Sequence, residues 1–258
     1  MIQSIRALLR LVLFFIVSLA TVLLVAIGNV LITLVSDKWA VRWKNIVIKS
    51  WAWITGIVVG LKLTVKGTPP KPPFFLVSNH LSYIDVIPLW RYLDATFVAK
   101  SEIQSWPFFG WATKTLGVLF INRELKRDVK RMNDKISDVI SANQGVIIFP
   151  EGTSTKGAKV ESFNAPLLQY PAVTRMPVDY ATITYESTNP DKPAHLNICW
   201  WGDMEFFPHF WELLKLKSFK ATITFGEQSV SSSNRKILAD ELKKEVNRNF
   251  SPVIFEED

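Results

Sequence analysis

The chain has 258 residues, of which 48% are hydrophobic, and it carries a formal net charge of +7. This length is enough for one sizeable folded domain and an accessory segment. The single cysteine, Cys199, excludes an intrachain disulfide. The sequence has neither zinc-finger spacing nor an RNA-binding signature, so we expect no nucleic-acid partner in spite of the basic balance.

The first predicted element is an uncharged apolar run over residues 11–35. It is long enough to cross a bilayer as a helix, and it continues to Ser36 and Asp37 without a small-residue cleavage site. We therefore interpret it as a retained membrane anchor. The alternative is a buried core helix, although such helices rarely lack a polar face. Basic residues lie on both sides of the run, including Arg10 and Lys38, so they do not determine its orientation.

A second, less apolar stretch follows over residues 39–61 and mixes tryptophans with lysines. Tryptophan prefers the membrane interface, and lysine side chains can extend to it, so we predict a helix that lies in the interface. The alternative is a helix packed on the folded domain. A proline-rich segment at 66–73 then breaks any helix. We place residues 1–64 in a two-helix membrane-anchoring motif and residues 65–258 in a second domain.

Strand and helix patterns alternate through the second domain. Predicted strands cover residues 74–78, 95–99, 118–121, 146–149, 178–185, 195–200 and 221–225. Predicted helices cover residues 84–93, 127–142 and 234–249, the last with Asn234 as its N-cap. The alternation predicts an α/β fold with a mixed sheet flanked by helices.

Two short polar motifs each follow a predicted buried strand. The first contains His80 and Asp85, and the second contains Glu151, Gly152 and Thr153. Open α/β sheets bind ligands at the carboxyl ends of their strands, so these side chains are candidate functional groups. A neutral histidine suits the removal of a proton from an alcohol, and an aspartate on its other ring nitrogen would hold the required tautomer. The alternative is a loop histidine beside an aspartate that caps a helix.

The spacing of the first motif restricts how its two residues can meet. On a continuous helix His80 and Asp85 would point roughly 140° apart. Pairing therefore requires His80 in a loop and Asp85 in the first helical turn. His195 and His209 make no ligand-spaced pair, so we expect no metal. The chain has no Gly-x-Ser-x-Gly elbow, so we expect no serine nucleophile.

The His-x4-Asp spacing followed by Pro-Glu-Gly-Thr resembles the glycerolipid acyltransferase family, which includes the 1-acylglycerol-3-phosphate acyltransferases. The strand that ends in Arg123 is similar to the family's second block, and residues 151–153 are similar to its third. The resemblance implies that Arg123 and Thr153 bind a phosphate, with Lys100 adding positive charge and Gly152 allowing close backbone approach. It also implies that Glu151 orients Arg123 or a substrate hydroxyl.

Two segments leave parts of this interpretation open. Many family members carry a basic residue and a glycine near Phe163, where this chain has Ser-Phe-Asn-Ala-Pro, so the identity of the acceptor stays open. The aromatic run over residues 199–209 could line an acyl tunnel, rest on lipid or pack in the core.

The resemblance implies a membrane-bound enzyme that moves a fatty acyl group from acyl-CoA or acyl carrier protein to a lysophospholipid hydroxyl. The expected acceptor is 1-acylglycerol 3-phosphate, the product is phosphatidic acid, and no cofactor is expected. Alternatives in the same class are glycerol 3-phosphate or another lysolipid, such as a lyso-aminolipid. Alternatives of other classes are a non-catalytic membrane lipid-binding protein and a hydrolase. Membrane lipids are expected partners, with the catalytic domain on the cytoplasmic side.

Overall fold

The computed structural model describes residues 1–122 and 126–255. Its α-helices are α1 (Ile2–Thr33), α2 (Asp37–Val59), α3 (Val86–Tyr92), α4 (Phe109–Thr115), α5 (Lys126–Val139), α6 (Gln169–Thr174), α7 (Ala194–Asn197), α8 (Phe206–Lys215) and α9 (Arg235–Arg248). Its strands are β1 (Leu61–Lys66), β2 (Phe75–Ser78), β3 (Ala95–Lys100), β4 (Leu119–Ile121), β5 (Gly145–Ile148), β6 (Val178–Ser187) and β7 (Phe219–Phe225). Short 3₁₀ helices cover Tyr83–Asp85, Ser101–Ser105 and Ala165–Leu168.

Helices α1 and α2 form an antiparallel hairpin. The indole nitrogens of Trp43 and Trp51 on α2 donate to the Leu24 carbonyl and the Ser18 hydroxyl on α1, at 3.1 and 3.0 Å. Gly60 ends α2 with a φ of 82°, a left-handed conformation that glycine adopts at little cost. Helix α1 is long and apolar enough to cross a membrane, and large apolar side chains remain exposed along one of its faces.

Helix α2 is also attached to the second domain. It packs on α3, and Lys49 pairs with Asp94 at 2.8 Å. Trp51 is buried, whereas Trp39 and Trp53 are exposed. One face of α2 therefore packs on the folded domain, and a position of the other face in the membrane interface stays a prediction. Strand β1 follows α2 and crosses the predicted boundary between residues 64 and 65, and the division into two domains also stays a prediction.

The seven strands listed above form one mixed sheet in the order β1-β7-β6-β2-β5-β3-β4. Strands β6 and β7 are antiparallel, and the other neighbouring pairs are parallel. This confirms the predicted α/β class with a mixed sheet. Strands β2, β5 and β3 are parallel neighbours, so their carboxyl ends meet at one edge of the sheet.

Both faces of the sheet are buried, as is usual for parallel strands covered by helices. Phe75 and Val77 on β2 belong to one core layer with side chains of α5, α6 and α9. Phe74 and Leu76 alternate with them and belong to the other layer with side chains of α1, α2, α3 and α8. The hairpin of α1 and α2 thus covers one face of the sheet.

The predicted strand at residues 195–200 is wrong, because this segment contains α7. Pro193 is the N-cap of α7 and has the extended backbone of a cap position, with φ −62° and ψ 146°. The amides of Asn197 and Ile198 donate to the carbonyls of Pro193 and Ala194 at 3.1 and 2.9 Å. The segment therefore satisfies its backbone within one helical turn packed on β6 and adds no strand.

The start of the closing helix is confirmed. Asn234 caps α9, and its side-chain oxygen accepts hydrogen bonds from the amides of Lys236 and Ile237 at 2.9 and 3.4 Å. Asparagine is among the preferred N-cap residues because its short side chain reaches these free amides.

Candidate active site

The structure brings His80 and Asp85 together. His80 lies in the loop after β2, and Asp85 lies in the 3₁₀ turn that follows. Nδ1 of His80 is 2.8 Å from Oδ2 of Asp85. The chain thus folds back on itself within five residues, as the spacing of the two residues requires.

The Asp85 carboxylate is fully buried and accepts further hydrogen bonds. Oδ2 accepts from the amides of Leu81 and Ser82 at 2.8 and 3.1 Å, and Oδ1 accepts from the Tyr185 hydroxyl at 2.7 Å. An ionised carboxylate only accepts hydrogen bonds, so Nδ1 of His80 carries the proton and Nε2 presents a lone pair. The environment of Asp85 therefore fixes one tautomer of the imidazole.

Tyr185 on β6 is a site residue that the sequence reasoning missed. Burial raises its pKa, and the nearby Asp85 charge raises that pKa further, so the phenol remains a donor. A tyrosine in a buried strand does signal that its hydroxyl needs a partner. The sequence offers no indication that this partner is Asp85, which lies 100 residues away.

Contacts of His80 and of its neighbour Asn79 fix the position of the imidazole. The Asn79 side chain exchanges two hydrogen bonds with the backbone of Ile183 at 2.8 and 2.9 Å, which extends the pairing of β2 with β6. The imidazole stacks on the Phe149 ring with centroids 4.1 Å apart. The His80 carbonyl accepts a hydrogen bond from the Thr155 amide at 3.0 Å. The histidine is consequently held between the two motif loops.

Glu151 joins the same two loops. Its Oε1 accepts from the His80 amide at 2.8 Å, and its Oε2 accepts from the Glu161 amide at 3.3 Å. Burial raises the pKa of Glu151 to about 7, although these two hydrogen bonds favour the charged form. The Glu151 carboxylate therefore links the backbone of the two motif loops through the His80 and Glu161 amides. The predicted partner Arg123 lies outside the described residues, so the structure gives no contact for it.

The remaining predicted site residues line one cavity with His80. This cavity has a volume of about 500 Å³ and lies between the sheet and the hairpin of α1 and α2. Lys100 at the end of β3 and Gly152 and Thr153 after β5 contribute to its lining, and Lys100 and Thr153 are exposed. Gly152 has a φ of 84°, which favours glycine at this position. The interior walls are largely apolar and include Phe14, Val22, Trp51, Trp90, Phe97, Phe149 and Phe210.

A second polar pair lies beside the cavity: Tyr83 is half-buried and lines the cavity, and His209 is buried behind it. The Tyr83 hydroxyl is 3.0 Å from Nδ1 of His209, and Nε2 of His209 is 2.9 Å from the Cys199 carbonyl. A carbonyl only accepts, so Nε2 carries the proton and Tyr83 donates to Nδ1. Trp200 and Phe206 also line the cavity, which places part of the 199–209 aromatic run in its wall.

No metal site is visible in the described ranges 1–122 and 126–255. They contain no group of three or more His, Cys, Asp and Glu side chains arranged to hold a metal ion. Nδ1 of His80 is engaged by Asp85, and the Glu151 oxygens are engaged by backbone amides. The expectation that the chemistry requires no metal stays a prediction.

Comparison with known proteins finds similarity to acyltransferases. Residues 62–178 match the family model described as Acyltransferase. A lyso-ornithine lipid O-acyltransferase from Rhodobacter capsulatus is 30% identical over 62% of this chain. One from Pseudomonas aeruginosa is 29% identical over 63% of this chain. The matched region spans 58% and 62% of those proteins. A 1-acyl-sn-glycerol-3-phosphate acyltransferase from Neisseria meningitidis is 23% identical over 74% of this chain and 76% of that protein.

A solved structure has the same fold. The crystal structure of the 1-acyl-sn-glycerophosphate (LPA) acyltransferase PlsC from Thermotoga maritima matches with a TM-score of 0.66 and 18% identity. The match covers 95% of this chain and 97% of that chain. The His80–Asp85 motif and the Glu151–Thr153 motif both lie within the residues that match the family model. By its motifs, its fold and these relatives, the chain is similar to the acyltransferases, and residues 62–178 carry the match to that family model.

Proposed function

We propose that this protein is a membrane-bound lysolipid O-acyltransferase, which moves a fatty acyl group from a thioester donor to a lysolipid hydroxyl. The donor is acyl-CoA or acyl carrier protein. The observation that carries the proposal is the position of His80, which pairs with Asp85 at 2.8 Å and lines an apolar cavity of about 500 Å³. Such a cavity falls within the usual size range of ligand sites, and its walls suit an acyl chain.

In the proposed reaction, Nε2 of His80 accepts the proton of the lysolipid hydroxyl. The hydroxyl oxygen attacks the thioester carbonyl carbon, an ester bond forms, and the carbon–sulfur bond breaks. The proton held by His80 then passes to the leaving thiolate, which restores the neutral imidazole. Asp85 keeps Nδ1 protonated and stabilises the imidazolium while it exists, so the base does not need to reorient.

The remaining motif residues support binding of an anionic headgroup. Lys100 and Thr153 are exposed at the cavity rim, and Gly152 adopts a conformation that brings backbone close to the cavity. Together with Arg123, these groups suit the several oxygens of a phosphate monoester. We therefore propose 1-acylglycerol 3-phosphate as an acceptor, with phosphatidic acid as the product. Glu151 acts as a positioning residue in this scheme, because its hydrogen bond holds the His80 backbone.

A second acceptor class is supported by the relatives. The two lyso-ornithine lipid O-acyltransferases share 30% and 29% identity with this chain, against 23% for the Neisseria meningitidis 1-acyl-sn-glycerol-3-phosphate acyltransferase. The segment 162–166 also departs from the pattern of the glycerolipid family. A lyso-aminolipid headgroup would add an ammonium group and bulk, and it would depend less on Arg123.

The test is an assay of the purified full-length protein with both thioester donors and a panel of lysolipids. Formation of diacyl product together with free thiol supports the proposal, and fatty acid release without an acceptor would instead indicate a hydrolase. Arg123→Ala is expected to weaken the use of 1-acylglycerol 3-phosphate by about 2–4 kcal/mol in kcat/KM and to leave the donor KM unchanged. A normal rate with that acceptor would contradict the phosphate assignment and favour the aminolipid.

A further inference from the structure

We propose that the second domain inserts an aromatic patch of its own into the lipid surface beside α1. The patch consists of Phe108 and Trp111 at α4 and Phe207 on α8, and it is called the α4–α8 patch below. This inference rests on the proposed membrane-bound acyltransferase and extends it. It assigns membrane contact to residues that are distant in sequence from the α1–α2 hairpin.

The side chains of the α4–α8 patch are large, apolar and accessible. Trp111 exposes 46% of its surface and Phe207 exposes 69%, and Phe108 is half-buried. Single exposed apolar residues are common on soluble proteins, whereas contiguous ones mark an interaction surface. Phe108 also has a φ of 61°, a backbone conformation that non-glycine residues rarely adopt. The packing of its ring therefore stabilises a conformation that the residue would not adopt by itself.

Ring contacts connect the α4–α8 patch to α1. The Phe108 ring centroid lies 5.3 Å from that of Phe15 on α1 and 6.3 Å from that of Trp111. The Phe207 ring lies 5.3 Å from that of Phe206, which lies 5.3 Å from the Phe109 ring on α4, so these two rings join Phe207 to the rest of the patch. Because α1 is apolar enough to lie in a bilayer, the α4–α8 patch continues a surface that is already expected in lipid. Tryptophan and phenylalanine are the side chains that favour this boundary.

The α4–α8 patch also adjoins the cavity that contains His80. Phe108 contributes to the cavity lining, and Trp111 and Phe207 lie outside that lining. Lys114 is exposed in the last turn of α4 and places a positive charge beside the patch, which attracts anionic headgroups. A lysolipid in the bilayer would thus enter the cavity from the side, without first passing into water.

Site-specific fluorescence tests the insertion. Single cysteines in place of Trp111 and Phe207 are labelled with an environment-sensitive dye in the full-length protein, where the native Cys199 is buried. Ile237 on α9 is the matched control, because it is 50% exposed but belongs to a helix on the opposite face of the sheet. Ile16, exposed on α1, reports on membrane binding itself.

The expected result is dye emission at shorter wavelength, and quenching by nitroxide-bearing lipids in anionic vesicles, at positions 16, 111 and 207 but not at 237. Quenching at 16 alone would overturn the proposal while leaving a membrane-bound protein. A shift at 111 and 207 without lipid quenching would also overturn it, because the patch would then contact another copy of the chain.

An activity measurement gives a second readout. Trp111→Ser combined with Phe207→Ser is expected to lower the rate with vesicle-embedded lysolipid by about tenfold, since two aromatic side chains that would enter the lipid are lost. The rate with a short-chain lysolipid dissolved as monomers should stay unchanged, and Ile237→Ser should change neither rate. An unchanged vesicle rate in the double variant would overturn the proposal. Failure of the wild type to acylate any lysolipid would instead reject the proposed function, and the quenching data would still decide on the patch.

Discussion

At the scale of single residues, the proposed base depends on how Asp85 is held. Asn in place of Asp85 would offer an amide donor to His80 and favour the wrong tautomer, with Nε2 protonated. We expect Asp85→Asn to lower turnover by about 10³–10⁴-fold with the fold intact. Tyr185→Phe removes one donor to the same carboxylate and is expected to cost only about tenfold, as one hydrogen bond to a charged group would. Steady-state rates of the two purified variants check this order, and the reverse order would contradict it.

The hydrogen bond between Tyr83 and His209 is a second residue-scale prediction. Tyr83→Phe and His209→Phe should each lower the free energy of unfolding by about 1–3 kcal/mol, because each leaves a buried partner unsatisfied. The double variant should lose less than the sum of the two changes. His209→Asn keeps an acceptor near the Nδ1 position and should be milder. Denaturant unfolding of the four proteins measures the coupling, and strict additivity would show that the contact contributes nothing.

The raised pKa of Glu151 predicts how the stability of the protein depends on pH. Burial raises its pKa to about 7, so the folded protein binds more protons at this site than the unfolded chain between about pH 4.5 and pH 7. Its contribution to stability therefore falls as pH rises through that window, by about 3 kcal/mol in total, and is constant above it. In Glu151→Gln this part of the pH dependence should be absent. Thermal unfolding of both proteins across the window is the measurement, and parallel curves would contradict the assignment.

Residue spacing predicted only the local part of the site. His80 and Asp85 are five residues apart, so local geometry was enough to propose their contact. The contacts of Asn79 with Ile183 and of Asp85 with Tyr185 cross the sheet between segments 104 and 100 residues apart. A single sequence carries no signal for such pairs. The role of Glu151 was also hidden, because its partners are backbone amides, which every residue type offers.

At the scale of elements, α1 is expected to hold the protein in the membrane by apolar burial. Each exposed leucine or isoleucine that enters lipid contributes about 1.5–3 kcal/mol, and α1 exposes many of them. High-salt and carbonate washes should therefore leave the protein in the membrane, and detergent should release it. Leu19→Lys combined with Leu23→Lys, both on the exposed face of α1, should make it partly extractable by carbonate. Complete extraction of the wild type by salt would show an anchor that is only electrostatic.

Some elements were predictable and others were not, for physical reasons. Strands β2 and β5 are short apolar runs buried on both faces, and α9 has both apolar spacing and a capping asparagine. The 195–200 segment has a similar apolar content, but Pro193 and Asn197 stabilise a helical turn there. Helices α4 and α8 were not predicted, because their many aromatic residues hid a helical period.

At the scale of the whole molecule, the fold places the candidate site and the apolar helix α1 on one side of the sheet. The cavity forms where α1, α2, α3 and α8 meet that face, so its walls come from segments spread over most of the chain. The alternation of strands and helices predicted the α/β class and the meeting of the motifs at one sheet edge. It could not predict the cavity, since a cavity depends on how side chains from distant helices pack.

The central claim is that His80 removes the proton of a lysolipid hydroxyl during acyl transfer. The most direct test is the turnover of purified His80→Ala with a thioester donor and a lysolipid, measured beside its unfolding temperature. His80 is 21% exposed and packs mainly on Phe149, so the variant should stay folded. We predict a loss of turnover of about 10²–10⁴-fold, the usual contribution of a general base. A folded His80→Ala protein with near-normal turnover would contradict the mechanism.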